Sequence, residues 1–433
     1  MKHNQSEQGQ VLIIIVLGLV LILGFAGLAI DGGRIYSDRR NGQNGADAAS
    51  LAGAGAAAMR MEDQGFVVED WNCSDSTFLY QVRLEAIQVA IARAASNGFI
   101  LDDDYETDWN GVETRCVGEA FNNGMMAEHY IDVITRITTE TDPIFVKMFY
   151  PDTIKSQVEA VARVWPRQPF GYGSAIVALN QADCSGNTNG VVVGGAHDIK
   201  IVGGGIFSNG CLAGDGANYE AIIQDGGVAY VGEQDGFMNF FSDDAKTIPI
   251  PVQHVDTPLP DDYYPQFNLD CNLPAVTLRR IDHSMNLDPG LYCITGEDSN
   301  YAIKLAAMDF LTGDGVTIYV KSGAIDITGG AVLDLKAPGA NPVNNAISGL
   351  LFYIETVGIT VNLEGTPAST IAGLIYAPYA NVTLTGSASS QTAVNFTTQV
   401  IAKNVNLRGS SDLNIIFNPA LTWHLPTKLE LAK

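Results

Sequence analysis

The chain has 433 residues, more than one hydrophobic core usually supports, so two or more folded units are expected. Its 48 Asp and Glu against 24 Lys and Arg leave a formal charge of −24. That field repels a phosphate backbone and disfavours docking of the soluble part on an anionic leaflet, so no nucleic-acid partner is expected. Charged residues are only 17% of the chain and Gly numbers 45, which excludes an acidic disordered tail and fits a folded, turn-rich protein.

The first element is "VLIIIVLGLVLILGFAGLAI", Val11 to Ile30, with no charged and no strongly polar side chain. At ~1.5 Å per residue it reaches about 30 Å, the thickness of a hydrocarbon layer, and it is expected to be a transmembrane anchor (11–30). Gly27 and Ala29 would suit a signal-peptidase site, yet the run exceeds the usual ~7–15-residue apolar core and lacks a polar cleavage segment. An uncleaved, single-pass anchor is therefore expected. Arg34, Arg39 and Arg40 follow the span and Lys2 precedes it, a count that favours a cytoplasmic body. Cysteine usage and the C-terminal domain favour export, and the soluble part is expected outside the cytoplasm.

Residues 31–165 are expected to form a helical stalk and a small α+β module. If 34–58 is helical, Gly42, Ala46, Ala49, Gly53 and Ala57 recur at spacings of three and four, a stripe that lets another backbone approach. The expected partner is "LYQVRLEAIQVAIARAA" from Leu79, through Val82, Ala86, Val89 and Ala90. The run "DDDYETDWNG", Asp102 to Gly111, places oxygens at 104, 106, 108 and 110. An EF-hand alignment puts Val117 where a bidentate Glu belongs, so a solvated acidic loop is the expectation, with a low-affinity Ca²⁺ site as the alternative.

From residue 166 to 420 helical periodicity gives way to a repeated string: apolar, x, apolar, x, Gly. It begins at Ile199, Ile325, Val361, Val382 and Val405, and "GVTIYV", "GLLFYI", "GLIYA" and "QVIA" stand as further short strands. Alternation buries one face of each strand and Gly turns the corner. Short strands at steps of ~20–25 residues predict a mainly-β domain, a right-handed parallel β-helix, with a β-sandwich of Gly-rich hairpins as the alternative. The predicted coils put Ile327, Leu363, Leu384 and Leu407 in one interior column. Six prolines between 249 and 274 mark an excursion, with Tyr263, Tyr264 and Phe267 expected at the surface.

Six cysteines, Cys73, Cys116, Cys184, Cys211, Cys271 and Cys293, form no CxxC pair, so zinc spacing is absent. Their even number suits three disulfides in an exported chain; fifteen connectivities exist, and sequential pairing is the expectation. No HExxH, GxSxG, Walker loop, "GHG" or "RIK" string occurs, so no catalytic, cofactor or metal residues are assigned.

The lead "EQGQ", the apolar span and "GLAIDGGRIYSDRRNGQNGADAASLAGA" together resemble the N-terminus of Tad/Flp pilus-assembly proteins of the TadG-like (TadE/TadG-like) family. The residues that carry the resemblance are Asp31, Gly33, Arg34, Tyr36, Gln43, Ala46, Asp47, Ala48, Leu51, Ala52 and Ala54, over Gly9 to about Ala57. A weaker likeness covers Tyr130 to Pro166, through Val158, Ala160 and Ala162. The stretch from Ser174 to Gly210 also resembles the start of β-helical modules that follow such anchors. A cleavable prepilin would carry Glu where Ile14 stands, so processing as a pilin is not expected. Some relatives carry a metal-binding D-x-S-x-S; the nearest string here, Asp183 to Asn187, lacks the final Ser.

The resemblance implies a pilus-assembly setting; with the apolar span and the missing catalytic motifs, the expectation is a membrane-anchored, non-enzymatic envelope protein associated with Tad/Flp-type pilus assembly or surface adhesion. Its expected partners are the membrane, other Tad pilus-assembly proteins and surface glycans, with no cofactor. The alternative is a membrane-tethered β-helix enzyme acting on polysaccharide, which would need carboxylates of adjacent coils converging in an open groove.

Overall fold

The computed structural model describes residues 8–74, 77–102, 109–119, 128–171, 173–184, 189–195, 198–215, 219–236, 238–256, 258–259, 264–296, 300–386, 393–409 and 411–432. Three of the four oxygen-bearing positions of the acidic run, 104, 106 and 108, lie outside them, as do 185–187 of the D-x-S-x-S-like string and Tyr263. The chain divides into two compact units: residues 8–119, 128–167 and 426–432 belong to the first, and 168–425 hold the second.

The first unit starts with α1 (Gln8–Asp63), a single helix of 56 residues, ~84 Å long at ~1.5 Å per residue. It contains no Pro, so nothing interrupts the backbone ladder between the apolar run and the small-residue stripe. It stops at Gly65, whose φ of +60° suits a residue without Cβ. There Phe66 N–H bonds the Met61 carbonyl and Gly65 N–H the Glu62 carbonyl, both at 2.9 Å, a Schellman ending.

The distal half of α1 and α2 (Phe78–Ser96) cover one face of an antiparallel sheet. That sheet runs β1 (Gly111–Glu119), β2 (Glu128–Thr141), β3 (Ile154–Trp165) and then the C-terminal strand Lys428–Leu431. Alternation sends Ile131, Val133 and Ile137 of β2, and Val158, Ala160, Ala162 and Val164 of β3, into the core with Ala46, Ala49, Ala54 and Ala57. The small stripe serves two neighbours. A Cβ on Gly53 would stand 2.6 Å from the Ala86 carbonyl oxygen and 3.0 Å from Val133, whereas one on Gly42 would meet Thr139 at 2.7 Å. The stripe seats α1 on the sheet as well as on α2. Leu79, Val82, Ala86, Ala90 and Ala94 form the buried face of α2, and Val89 is only half-buried.

The second unit is a large sheet of parallel strands in which most strands pair with the one three further along the chain. The strings fall into register. Leu305, Ile327, Leu363, Leu384, Leu407 and Val193 follow one another across successive pairs, and Ile325, Val361, Val382, Val405 and Val191 run beside them. All of these lie at 0–1% exposure, and full burial of each such side chain contributes ~1.5–3 kcal/mol.

The stacking order is not the chain order. The unit starts in the middle of the stack: Ile176–Ala178 is followed outward by Ile206–Ser208, Val228–Tyr230 and Val252–His254. The chain then passes to the opposite end and returns through Val276–Leu278, Gly290–Ile294, Val316–Val320 and Leu350–Ile354. It continues into Thr370–Gly386 and Val394–Gly409, and the last of these pairs with Ile176–Ala178. Ten strands at ~4.8 Å make this face ~43 Å high, within the ~70 Å reach of the connecting residues 255–275.

That connector explains the continuously apolar strands. Gly290–Ile294, Val316–Val320 and Leu350–Ile354 are buried at every position because both of their faces are covered. Leu259, Tyr264, Phe267, Leu269 and Cys271 of the connector pack over the outer face, with Trp423 and Leu425 beside them. Phe267 meets Tyr353, Tyr376 and Trp423 edge-on at 5.4, 5.6 and 5.0 Å, and Asn209 donates to the Tyr264 hydroxyl at 3.1 Å. The surface position expected for Tyr264 and Phe267 is therefore corrected: the prolines mark a lid on the sheet.

Candidate functional site

Three disulfides pair the cysteines consecutively: Cys73–Cys116, Cys184–Cys211 and Cys271–Cys293. The first fastens the segment before α2 to β1, and the last fastens the end of the connector to the returning strands. Among the described residues, no three His, Cys, Asp or Glu side chains are grouped to hold a metal ion.

The family-like positions divide into an inward and an outward set. Asp31, 1% exposed, accepts the backbone N–H groups of Ile144 (2.8 Å), Phe145 (2.8 Å) and Val146 (2.7 Å). Two turns on, the Asp38 carboxylate accepts the Thr141 hydroxyl at 2.6 Å. Gln43 donates to Asp47 at 2.8 Å and to the Glu159 carbonyl at 3.3 Å, and Ser50 donates to the Ala160 carbonyl at 3.0 Å. The helix is thus pinned to the sheet and to the loop after β2 by a row of polar contacts one to two turns apart. Gly33, Arg34 and Tyr36 point the other way and are exposed. Sequence reasoning found Asp31, Gln43 and Asp47; it missed Asp38 and Ser50, which no spacing rule singled out.

From Leu12 to Ile30 most of the helix surface is bare, Gly27 excepted. Leu12 to Leu17 and Leu19 to Leu23 are each more than half exposed, and this is the one helix among the described residues long and apolar enough to cross a membrane. Val20, Leu23, Gly24 and Leu28 form one wall of an apolar groove of 680 Å³ whose other wall is Phe145, Val146, Met148 and Phe149.

Several charged groups are paired within the fold. Asp132, on the sheet face away from the helices, is fully buried between Arg115 (2.6 Å) and Arg163 (2.7 Å), and the Arg163 guanidinium stacks over Tyr130 at 3.6 Å. In the second unit Asp198 and Glu220 meet Lys246, Asp215 meets Arg408, and Asp326 accepts from Asn362. A shallow groove of 290 Å³ there is lined, among the described residues, by Asn180, Gln181, Tyr264, Pro378, Tyr379 and Lys403 with apolar neighbours.

No curated protein and no solved structure matches the chain. Residues 9–57, the apolar run together with the small-residue stripe, match the Tad family, described as putative Flp pilus-assembly TadE/G-like.

Proposed function

We propose that the chain is a membrane-anchored, non-enzymatic envelope protein of Tad/Flp-type pilus assembly or surface adhesion. In this reading the second unit is a right-handed parallel β-helix displayed outside the cytoplasm. The observation that carries it is α1 itself. Its exposed apolar segment, long enough to span a bilayer, continues without a break into the family-matching stripe that docks on the sheet.

Three disulfides support export, since thiols stay reduced in most cytosols. Support for the β-helix is the in-register column from Leu305 to Val193 and an asparagine ladder beside it. Asn404 donates to Asn381 at 2.7 Å and accepts from Asn180 at 2.9 Å and from the Gly190 N–H at 2.7 Å. A non-enzymatic role is supported by outward carboxylates engaged within the fold, Asp198 on Lys246, Asp215 on Arg408 and Asp326 beside Asn362.

Affinity capture of the tagged chain from solubilised membranes of its own cell tests the reading. Recovery of pilus-assembly components is the expected result. Their absence, together with cleavage of a polysaccharide by the purified second unit, would replace this reading with the tethered enzyme.

A further inference from the structure

We propose that Ile144–Tyr150 is a second membrane-inserting element, a loop that enters the acyl-chain region beside α1. The proposal rests on the reading of Val11–Ile30 as a span. Ile144, Phe145, Met148 and Phe149 are 58%, 47%, 84% and 86% exposed, a concentration of bare apolar side chains that a water-facing loop would not carry.

Their position matches a leaflet. The loop faces Val20, Leu23 and Leu28, which lie roughly 3–15 Å inside the end of the run at Ile30, counting ~1.5 Å per residue. Phe145 sits in the notch left by Gly27, where a Cβ would stand 2.8 Å from its ring. The groove wall on α1 belongs to the same apolar surface that the span presents to lipid, so acyl chains covering the helix also cover the loop.

The backbone is prepared for that solvent. Hydrocarbon offers no hydrogen-bond partner, so inserted N–H groups must be satisfied within the protein. Those of 144, 145 and 146 go to the Asp31 carboxylate. Those of Met148, Phe149 and Tyr150 go to the carbonyls of Phe145 and Val146. Lys147, the loop's cation, is drawn back onto Asp142 at 2.8 Å. Arg34 is exposed one turn past Ile30, ~6 Å on and at the height where headgroup phosphates would lie, with Arg39 and Arg40 exposed further out, and Tyr36 and Tyr150 suit the interface.

The full chain, reconstituted in phosphatidylethanolamine–phosphatidylglycerol vesicles, tests this with p-benzoylphenylalanine placed singly by Phe149→p-benzoylphenylalanine, Ile22→p-benzoylphenylalanine and Tyr379→p-benzoylphenylalanine. After illumination, a mass shift of one phospholipid is expected at 149 and 22 and not at 379. A lipid shift at 22 alone would overturn the loop proposal and leave the anchor standing. No lipid shift at either position would remove both. Doubling of the mass from position 149 would show that a second copy of the chain, not lipid, covers the loop, and would also overturn the proposal.

Discussion

Leu407 lies opposite Val193 in a parallel pair, although these residues come from the last and the first repeats of the second unit. The pair is the seam of the stack. It means that the chain enters and leaves the stack at mid-height, and the strands at 168–169 and 424–425, at the two ends of the unit, pair with each other. Asn404 bridges the seam to Asn180, so a polar side chain as well as apolar packing fixes which repeats meet.

The interior column gives the first prediction. Leu384 is fully buried between Leu363 and Leu407, while Thr383 and Thr385 alternate outward. Leu384→Asp should cost several kcal/mol, on the order of 3–5, because an unpaired carboxylate would replace an apolar contact. Thr383→Asp and Thr385→Asp should cost about 1 kcal/mol or less. Thermal unfolding of residues 168–425 compares the three, and equal damage would refute the alternation.

The column was legible because each string carries its own inward and outward positions. The stacking order of the strands was not. One V-x-L-x-G string suits any neighbour, so nothing local says that Val405–Gly409 stacks on Val191–Gly195 rather than at an end. Phe267 was misjudged for a related reason: Pro-rich flanks report a loop, while the Tyr353 and Tyr376 faces that cover it lie far along the chain. The family-like motif showed its own residues, but the N–H groups that Asp31 holds come from a segment 113–115 positions away.

Two glycines of α1 should respond with opposite sign. A Cβ at Gly53 meets the Ala86 carbonyl at 2.6 Å, and backbone cannot step aside as a side chain can. Gly53→Ala should therefore cost about 1–3 kcal/mol. Among the described residues nothing beyond its own helix lies within 4 Å of a Cβ at Gly55, so Gly55→Ala should add about 0.5–1 kcal/mol through helix propensity alone. Denaturant unfolding of the chain in detergent measures both.

Burial, and then the Glu355 carboxylate, push the Tyr353 phenol up to about 12; Tyr319 is raised by burial and by donating to Glu355, and Tyr376 chiefly by burial. An unfolded tyrosine ionises near pH ~10. Between about 10 and about 12 the unfolded chain releases a proton that folded Tyr353 keeps, so stability is intact below this window and falls as pH rises through it. Tyrosinate absorbance should show these phenols silent until unfolding, and Tyr353→Phe should lessen the alkaline loss. Among the described residues the buried Tyr376 hydroxyl has no hydrogen-bond partner, so Tyr376→Phe should leave stability within about 0.5 kcal/mol or raise it.

The last prediction follows from the C-terminal strand. Lys428 pairs with Trp165 and Leu429 with Val164, so the second unit is inserted between two neighbouring antiparallel strands of the first. Joining Arg167 directly to Pro426 leaves Pro166, Arg167, Pro426 and Thr427 between the paired ends, a connection of hairpin length. The shortened chain should fold in detergent, keep the Cys73–Cys116 bond and protect the amides of 428–431 from exchange. Residues 168–425, expressed alone, should keep their own cooperative transition, since their ends meet at the pairs His424–Pro169 and Leu425–Gln168. If the shortened chain exchanged at 428–431 like an unfolded peptide, the strand would depend on the inserted unit. The two units would then be one folding body, and the insertion reading would fail.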